Sequence, residues 1–127
     1  MVENNLTYII VLNYNAYKDT IDCLESIVSL KSKYYKIVLI DNASTDFSID
    51  KINKWAVDNN YNGIEIFKSK NNNGYSSGNN LGIRYALKQD DCKYIWILNN
   101  DTIVDSHSLN HLVNKSDKKT IDRKSVV

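Results

Sequence analysis

A chain of 127 residues, 43% hydrophobic and 24% charged, is the size of one globular domain or a piece of one, with enough apolar side chain for a core. Its net charge is +1, with basic residues scattered along the chain, which excludes the clustered basic face of a nucleic-acid groove. The longest apolar runs are strand-sized, far short of the roughly 18 residues of a membrane span, and the residues after Met1 lack the pattern of a signal peptide. Cys23 and Cys92 stand far apart without a CxxC pair, so two reduced, partly buried thiols in a cytosolic protein are expected.

The pattern along the chain is strand, helix, repeated. Residues 7–12 (TYIIVL) form a continuous apolar run rich in β-branched side chains. Residues 36–40 (KIVLI), 64–67 (IEIF) and 94–98 (YIWIL) are further candidate strands. Strands apolar on both faces belong inside a parallel sheet covered by helices on both sides. Between them, Ile21, Leu24 and Val28 recur at helical spacing, as do Ile49, Ile52 and Ala56 with Val57 beside them. Leu81, Tyr85 and Lys88 mark a third helix, widened by Ile83 and Leu87. Ser44 or Thr45 is placed to cap the second helix, and Asp46 suits its positive end. This alternation predicts an α/β domain of αβα layers with right-handed crossovers. After Asp101, Leu109, Leu112 and Val113 make one short helix, and the polar stretch over 114–127 is expected to fray. With no further strand, the sheet is expected to be incomplete in this chain.

Each predicted strand runs straight into a polar cluster. These are Asn13-Tyr14-Asn15, then Asp41-Asn42 with Ser44 and Asp46, then Ser69 with Asn71-Asn72-Asn73-Gly74, and last Asn99-Asn100-Asp101. In a parallel sheet all four fall at one carboxyl edge, where open α/β folds bind ligands at a topological switch point. Each cluster alone also reads as a short polar loop.

Asp41 closes a buried strand and has two readings: an acceptor for a base N–H or a ribose hydroxyl, or a turn residue satisfying nearby backbone N–H groups. Tyr14 either lays its ring against a base or packs at the strand end. Gly74, Gly78 and Gly82 recur every four residues, which suits close approach of a ligand or of a packed strand. Ser76 and Ser77 are candidate caps for the helix there, whose first N–H groups would face an anion. The pattern is neither the dinucleotide GxGxxG nor a P-loop. Asn80 is then either near the ligand or an interior hydrogen-bonding residue. Asp101 is either a Mg²⁺ or Mn²⁺ ligand, needing only one carboxylate if a diphosphate supplies other oxygens, or a cap for the next helix. Asp105 is a second candidate cap.

Four motifs in this order, IIVLNYN (9–15), IVLIDNASTD (37–46), NNNGYSSGNNLGI (71–83) and WILNNDT (96–102), resemble the family 2 inverting glycosyltransferases of the GT-A fold, most of all the bacterial rhamnosyltransferase-like branch. The resemblance covers residues 7 to about 113. It implies a Rossmann-like donor-binding part of a GT-A domain over 1–113, truncated after the DXD-type strand and followed by the polar tail. It implies transfer of a sugar, rhamnose by this branch, from a dTDP- or UDP-linked donor to a saccharide or lipid-linked acceptor in the full-length protein. Leu12, through its backbone, and Tyr14 would line the base pocket. Asp41 would bond the pyrimidine, and Gly74 and Asn80 would wall the ribose and diphosphate. Asn99-Asn100-Asp101 stands in place of the DXD motif, with Asp101 matching its metal-binding acid and amides at the first two positions. The general base and acceptor site belong to a part of the family's domain that finds no match here, since Asp105, Asp117 and Asp122 lack the context. A cytoplasmic protein, peripheral at the inner membrane face, is the implied location. Two other functions fit the sequence: a nucleotide-sugar binding fragment without catalysis, and a Rossmann cofactor domain, which the lack of glycine in the first strand-to-helix turn disfavours.

Overall fold

The structure is a computed structural model and describes residues 5–117 and 125–126. In chain order it runs β1 (Leu6–Asn13), α1 (Tyr17–Val28), β2 (Tyr35–Asp41), α2 (Ser48–Asp58), β3 (Ile64–Lys68), α3 (Tyr75–Leu87), β4 (Cys92–Leu98), α4 (Ser108–Asp117) and a two-residue β5 (Ser125–Val126). All pairings are parallel, in the order β3-β2-β1-β4-β5. The four expected strands are thus present, each longer by one or two residues.

The order fixes the layers. The chain steps from β1 to β2 to β3 in one direction, then crosses back past β1 to reach β4. A right-handed crossover that travels the opposite way must pass over the opposite face. Accordingly α1 and α2 pack on one face, joined by α4, in a core of Ile9, Val11, Leu24, Ile27, Ile37, Leu39, Ile52, Trp55 and Leu109. Helix α3 covers the other face against Tyr8, Ile10, Leu12, Val38, Ile40 and Ile95. Strand β1 is central and buries apolar side chains on both faces, at about 1.5–3 kcal/mol each.

Helix faces are rotated from the sequence reading. In α1 the buried set is Thr20, Cys23, Leu24 and Ile27, while Ile21 and Val28 sit at its margin. In α2, Trp55 takes the inward place expected of Val57, which is exposed; its indole N–H reaches Glu25 Oε2 on α1 at 3.2 Å. The expected caps are also corrected. Ser44 and Thr45 do not cap α2; Asp46 does the work, accepting from Ser48 N at 3.0 Å. Ser76 and Ser77 lie within the first turn of α3, whose N-cap is Gly74 with no side-chain cap bond. The helix after Asp101 runs past the expected end at Val113 to Asp117, and β5 adds to β4, where fraying was expected; the tail residues 118–124 lie outside the described residues.

Glycines at 78 and 82 serve packing. A Cβ on Gly78 would lie 2.4 Å from Leu12 Cδ1, and one on Gly82 2.8 Å from Ile10 Cγ2. Leu12 can rotate its terminal methyls, whereas β-branched Ile10 is stiff and fully buried. Alanine adds up to about 1 kcal/mol of helix propensity, against an overpacking cost of about 1–3 kcal/mol. Gly82→Ala is therefore expected to lower urea-denaturation stability by about 1 kcal/mol, with Gly78→Ala near neutral.

At the amino edge, buried Tyr8 donates to Asp91 Oδ1 at 2.5 Å, and Lys36 pairs with Asp91 Oδ2 at 3.1 Å. Burial alone would raise the Asp91 carboxyl, but hydrogen bonds from Tyr8 and Lys36 and the charge of Lys36 hold it below its ordinary value. A carboxyl lowered on folding stabilises above its unfolded pKa and loses that contribution as pH falls through the folded value. Wild type should therefore exceed Asp91→Asn in stability at pH 7, and the gap should close in denaturation curves taken below about pH 4.

Candidate functional site

The carboxyl ends of β1, β2 and β4 converge around one buried amide. Asn13 and Asp41 are register partners on adjacent strands, so their side chains share the α1 face. Asn13 Nδ2 donates to Asp41 Oδ1 at 2.9 Å and to Ser44 Oγ at 3.2 Å, while Asn13 Oδ1 accepts from Thr20 Oγ1 at 2.6 Å. Asn100 Nδ2 donates to Thr20 Oγ1 at 3.1 Å, which carries the chain of bonds to the end of β4. On the other side, Ser44 donates to Asp41 twice, from its N at 3.0 Å and its Oγ at 2.7 Å. Asn15 and Thr45 then pair across the β1–α1 and β2–α2 loops. Asn13, Thr20 and Asp41 are essentially inaccessible to solvent, and leaving such groups unpaired would be costly.

The network decides what Asp41 has left to offer. Three donors occupy most of its acceptor capacity, as its reading as a turn residue requires, and one lone pair on Oδ2 remains. Asp41 also lines a recess of about 380 Å³ with Ser44, Thr45, Phe47, Ser48, Ile49, Asp50 and Lys68. Phe47 is 72% exposed there and holds a left-handed φ of 62°, unusual for a bulky side chain. Asn15 and Ala43 in the same pair of loops also have positive φ. Such conformations persist where the surroundings over-determine them.

The other expected residues divide into two groups. Tyr14 is 46% exposed at the end of β1, beside this network but outside the lining of the recess. Leu12 turns its side chain into the core against Gly78, so only its backbone is near the edge. Gly74 has φ 98° with nothing within 4 Å of a built Cβ; it makes the turn into α3 and is not part of the packed glycine stripe. Asn80 is exposed, and the buried amide on that helix is its neighbour Asn79.

Asn42 holds the loop before α3. Its Nδ2 donates to Asn72 Oδ1 at 2.7 Å and to Gly74 O at 3.3 Å, and its buried Oδ1 has no hydrogen-bond partner among the described residues. The first helical bond of α3 runs from Gly78 N to Gly74 O at 3.2 Å, so the N–H groups of Tyr75, Ser76 and Ser77 precede any intrahelical partner. Tyr75 closes the gap to β4, donating from its hydroxyl to Asn99 Oδ1 at 2.6 Å.

Asn99-Asn100-Asp101 forms a turn, with Thr102 N donating to Asn99 O at 3.0 Å. The Asp101 carboxylate is exposed and has no hydrogen bond or ion pair among the described residues. It does not cap α4, which starts at Ser108; Asp105 sits just before that helix, its Oδ2 accepting from His107 N at 3.0 Å. Burial and the negative charge of Asp101 push the nearby Cys23 thiol up to about 11. Among the described residues no three His, Cys, Asp or Glu side chains gather to hold a metal ion unaided. The set fits a cation shared with the oxygens of a bound diphosphate, because Mg²⁺ needs only one or two protein carboxylates in such sites.

Sequence reasoning missed Thr20, Phe47 and Tyr75. Thr20 had a signal, since it shares the 20, 23, 24, 27 spacing of the true buried face. Phe47 had none beyond its place beside the second motif, and Tyr75 none beyond its place within the third. Removing the central amide tests the network: Asn13→Ala is expected to cost about 2–3 kcal/mol in urea denaturation, since it strips one donor from a buried carboxylate and leaves the Thr20 hydroxyl proton without its acceptor.

Known proteins resemble this chain in sequence and in fold. The chain is 29% identical over 104 residues to the low-salt glycan biosynthesis hexosyltransferase Agl10 of Haloferax volcanii, covering 82% of this chain and 30% of that protein. It is 26% identical over 119 residues to glycosyltransferase GlyG of Streptococcus pneumoniae serotype 4, covering 94% of this chain and 38% of that protein. This chain thus spans about a third of the length of the curated relatives it matches. Its fold matches S. aureus TarS 1-349 in complex with UDP-GlcNAc with a TM-score of 0.74 at 18% identity, over 89% of this chain and 31% of that one. It matches the mannosyltransferase PcManGT from Pyrobaculum calidifontis, in complex with GDP-Man and Mn²⁺, with a TM-score of 0.72 at 18% identity, over 84% of this chain and 31% of that one. The family model for glycosyl transferase family 2 matches residues 8–122, and the chain belongs to that family.

Proposed function

We propose that this chain is the donor-binding part of a glycosyltransferase that moves a hexosyl group from a nucleoside diphosphate to a saccharide or lipid-linked acceptor. The observation that carries the reading is the Asp101 carboxylate, exposed at the strand-order reversal with no partner among the described residues. Around it lie the features a nucleotide diphosphate needs. The recess beside Asp41 offers an acceptor and the Phe47 ring for a base. The buried Asn42 Oδ1 awaits a donor such as a hydroxyl. The α3 N–H groups favour an anion.

In an inverting transfer the acceptor hydroxyl attacks the anomeric carbon in line, and negative charge builds on the departing diphosphate. A divalent cation, when bound, would neutralise that charge. Asp101 would hold it, and the amide oxygen of Asn100, whose Nδ2 is committed to Thr20, would be its neutral companion. We assign no general base within the described residues, because Asp105 is engaged at the start of α4. The whole transfer belongs to a longer protein, in line with the length of the relatives. The motif resemblance favours rhamnose as the sugar, with a UDP- or dTDP-linked donor. A cytoplasmic site of action fits the donor class, and among the described residues no helix is long and apolar enough to cross a membrane.

Calorimetric titration with UDP, dTDP and NAD, with and without Mn²⁺, tests the reading. UDP or dTDP is expected to bind, roughly tenfold more tightly with Mn²⁺, as one charge-assisted contact implies. Asp101→Ala should remove the metal-dependent gain and spare the metal-free affinity. Asp41→Asn should weaken binding with and without metal. Metal-independent binding of NAD alone would contradict the proposal and favour a cofactor domain.

A further inference from the structure

The hydrogen bond from Tyr75 to Asn99 joins side chains that are 24 residues apart, and both are largely open to solvent; Tyr75 is 50% exposed. A contact of this kind is not a by-product of core packing. It spans the mouth of the crevice between the start of α3 and the end of β4. An asparagine amide has one acceptor oxygen and two N–H donors at opposite ends of a plane. With Oδ1 accepting from Tyr75 at 2.6 Å, the end left over is Nδ2, which makes no hydrogen bond among the described residues. The next amide is set the other way. Asn100 spends Nδ2 on Thr20 and keeps Oδ1. The three positions of the motif therefore present an N–H donor pair, a neutral oxygen and a carboxylate.

We infer that Tyr75 is a positioning residue that holds Asn99 with its Oδ1 engaged and its Nδ2 left for a ligand. Held in this way, Asn99 donates to oxygens of the ligand's diphosphate and takes no part in holding a cation. An N–H cannot ligate a metal, whereas it pairs directly with a phosphate oxygen. The cation duties then fall to Asp101 with Asn100. The proposal rests on the donor-site reading above, and its test separates the two.

The first measurement needs no ligand. In ¹⁵N-edited NMR spectra of the free protein, Tyr75→Phe should displace the side-chain amide resonances of Asn99 while those of Asn13 stay in place. Unmoved Asn99 resonances would overturn the proposal whatever the protein binds. The second is a double-mutant cycle of Tyr75→Phe and Asn99→Ala, read as metal-free UDP affinity. Tyr75→Phe alone should weaken UDP by roughly three- to tenfold, the effect of one hydrogen bond. It should leave uridine affinity unchanged and have no further effect once Asn99 is alanine. Equal weakening in both backgrounds, or an equal loss for uridine, would overturn the proposal by showing that the ring acts directly or only through structure. Failure of wild type to bind any nucleoside diphosphate would instead sink the donor-site reading, and with it the diphosphate role of Asn99.

Discussion

Asn13 sits at the end of the central strand, where an apolar residue would be expected from the five that precede it. Its amide instead touches α1 through Thr20 and β2 through Asp41 and Ser44. Thr20 extends the contact to Asn100 beyond β4. Because these groups are buried, each depends on the others for its hydrogen bonds, and the loss of one leaves a buried donor or acceptor unpaired. The carboxyl ends of three strands are thereby held at fixed heights, and the loops that follow them start from fixed points.

The rest of the site is built outward from that frame. The strand order reverses between β1 and β4, so the loops after β2 and β4 diverge to opposite sides of the crevice. On one side lies the recess of Asp41 and Phe47. On the other lies the turn carrying Asp101, tied back to α3 by Tyr75. Buried polar groups bonded to one another form the floor, and groups with unspent capacity form the rim. That division is what a binding site needs: the floor is rigid, and the rim has something to exchange with a ligand.

Much of this was legible in the sequence because the strands are apolar on both faces. Runs such as TYIIVL and KIVLI can be satisfied only inside a covered parallel sheet, and the polar clusters that end them must then share an edge. The helices were less legible. Thr20 stood outside the apolar spacing read for α1, yet it points inward and donates to Asn13. Ser44 and Thr45 resembled caps, but they are drawn to Asp41 and Asn15, and Asp46 caps α2 in their place. Local capping rules lost to a longer-range network. The helix from Ser108 to Asp117 outlasted its apolar residues, because Leu109 anchors it to the core and its remaining face needs no burial. Asn99 was legible as part of the strand-end cluster, but its contact with Tyr75 was not, since that depends on where a crossover delivers α3.

On the proposed function, a nucleoside diphosphate binds at the carboxyl edge, on a frame set by Asn13. A smaller recess of about 160 Å³ at the amino edge, lined by Thr7, Tyr34, Tyr94 and Leu109, is the natural competitor. Amide chemical-shift mapping with UDP and Mn²⁺ distinguishes them directly. Binding at the carboxyl edge should shift Tyr14, Asp41, Phe47, Gly74, Tyr75 and Asp101 and leave Thr7 and Tyr94 undisturbed. Shifts centred on Thr7, Tyr34 and Tyr94, with the carboxyl edge silent, would contradict it.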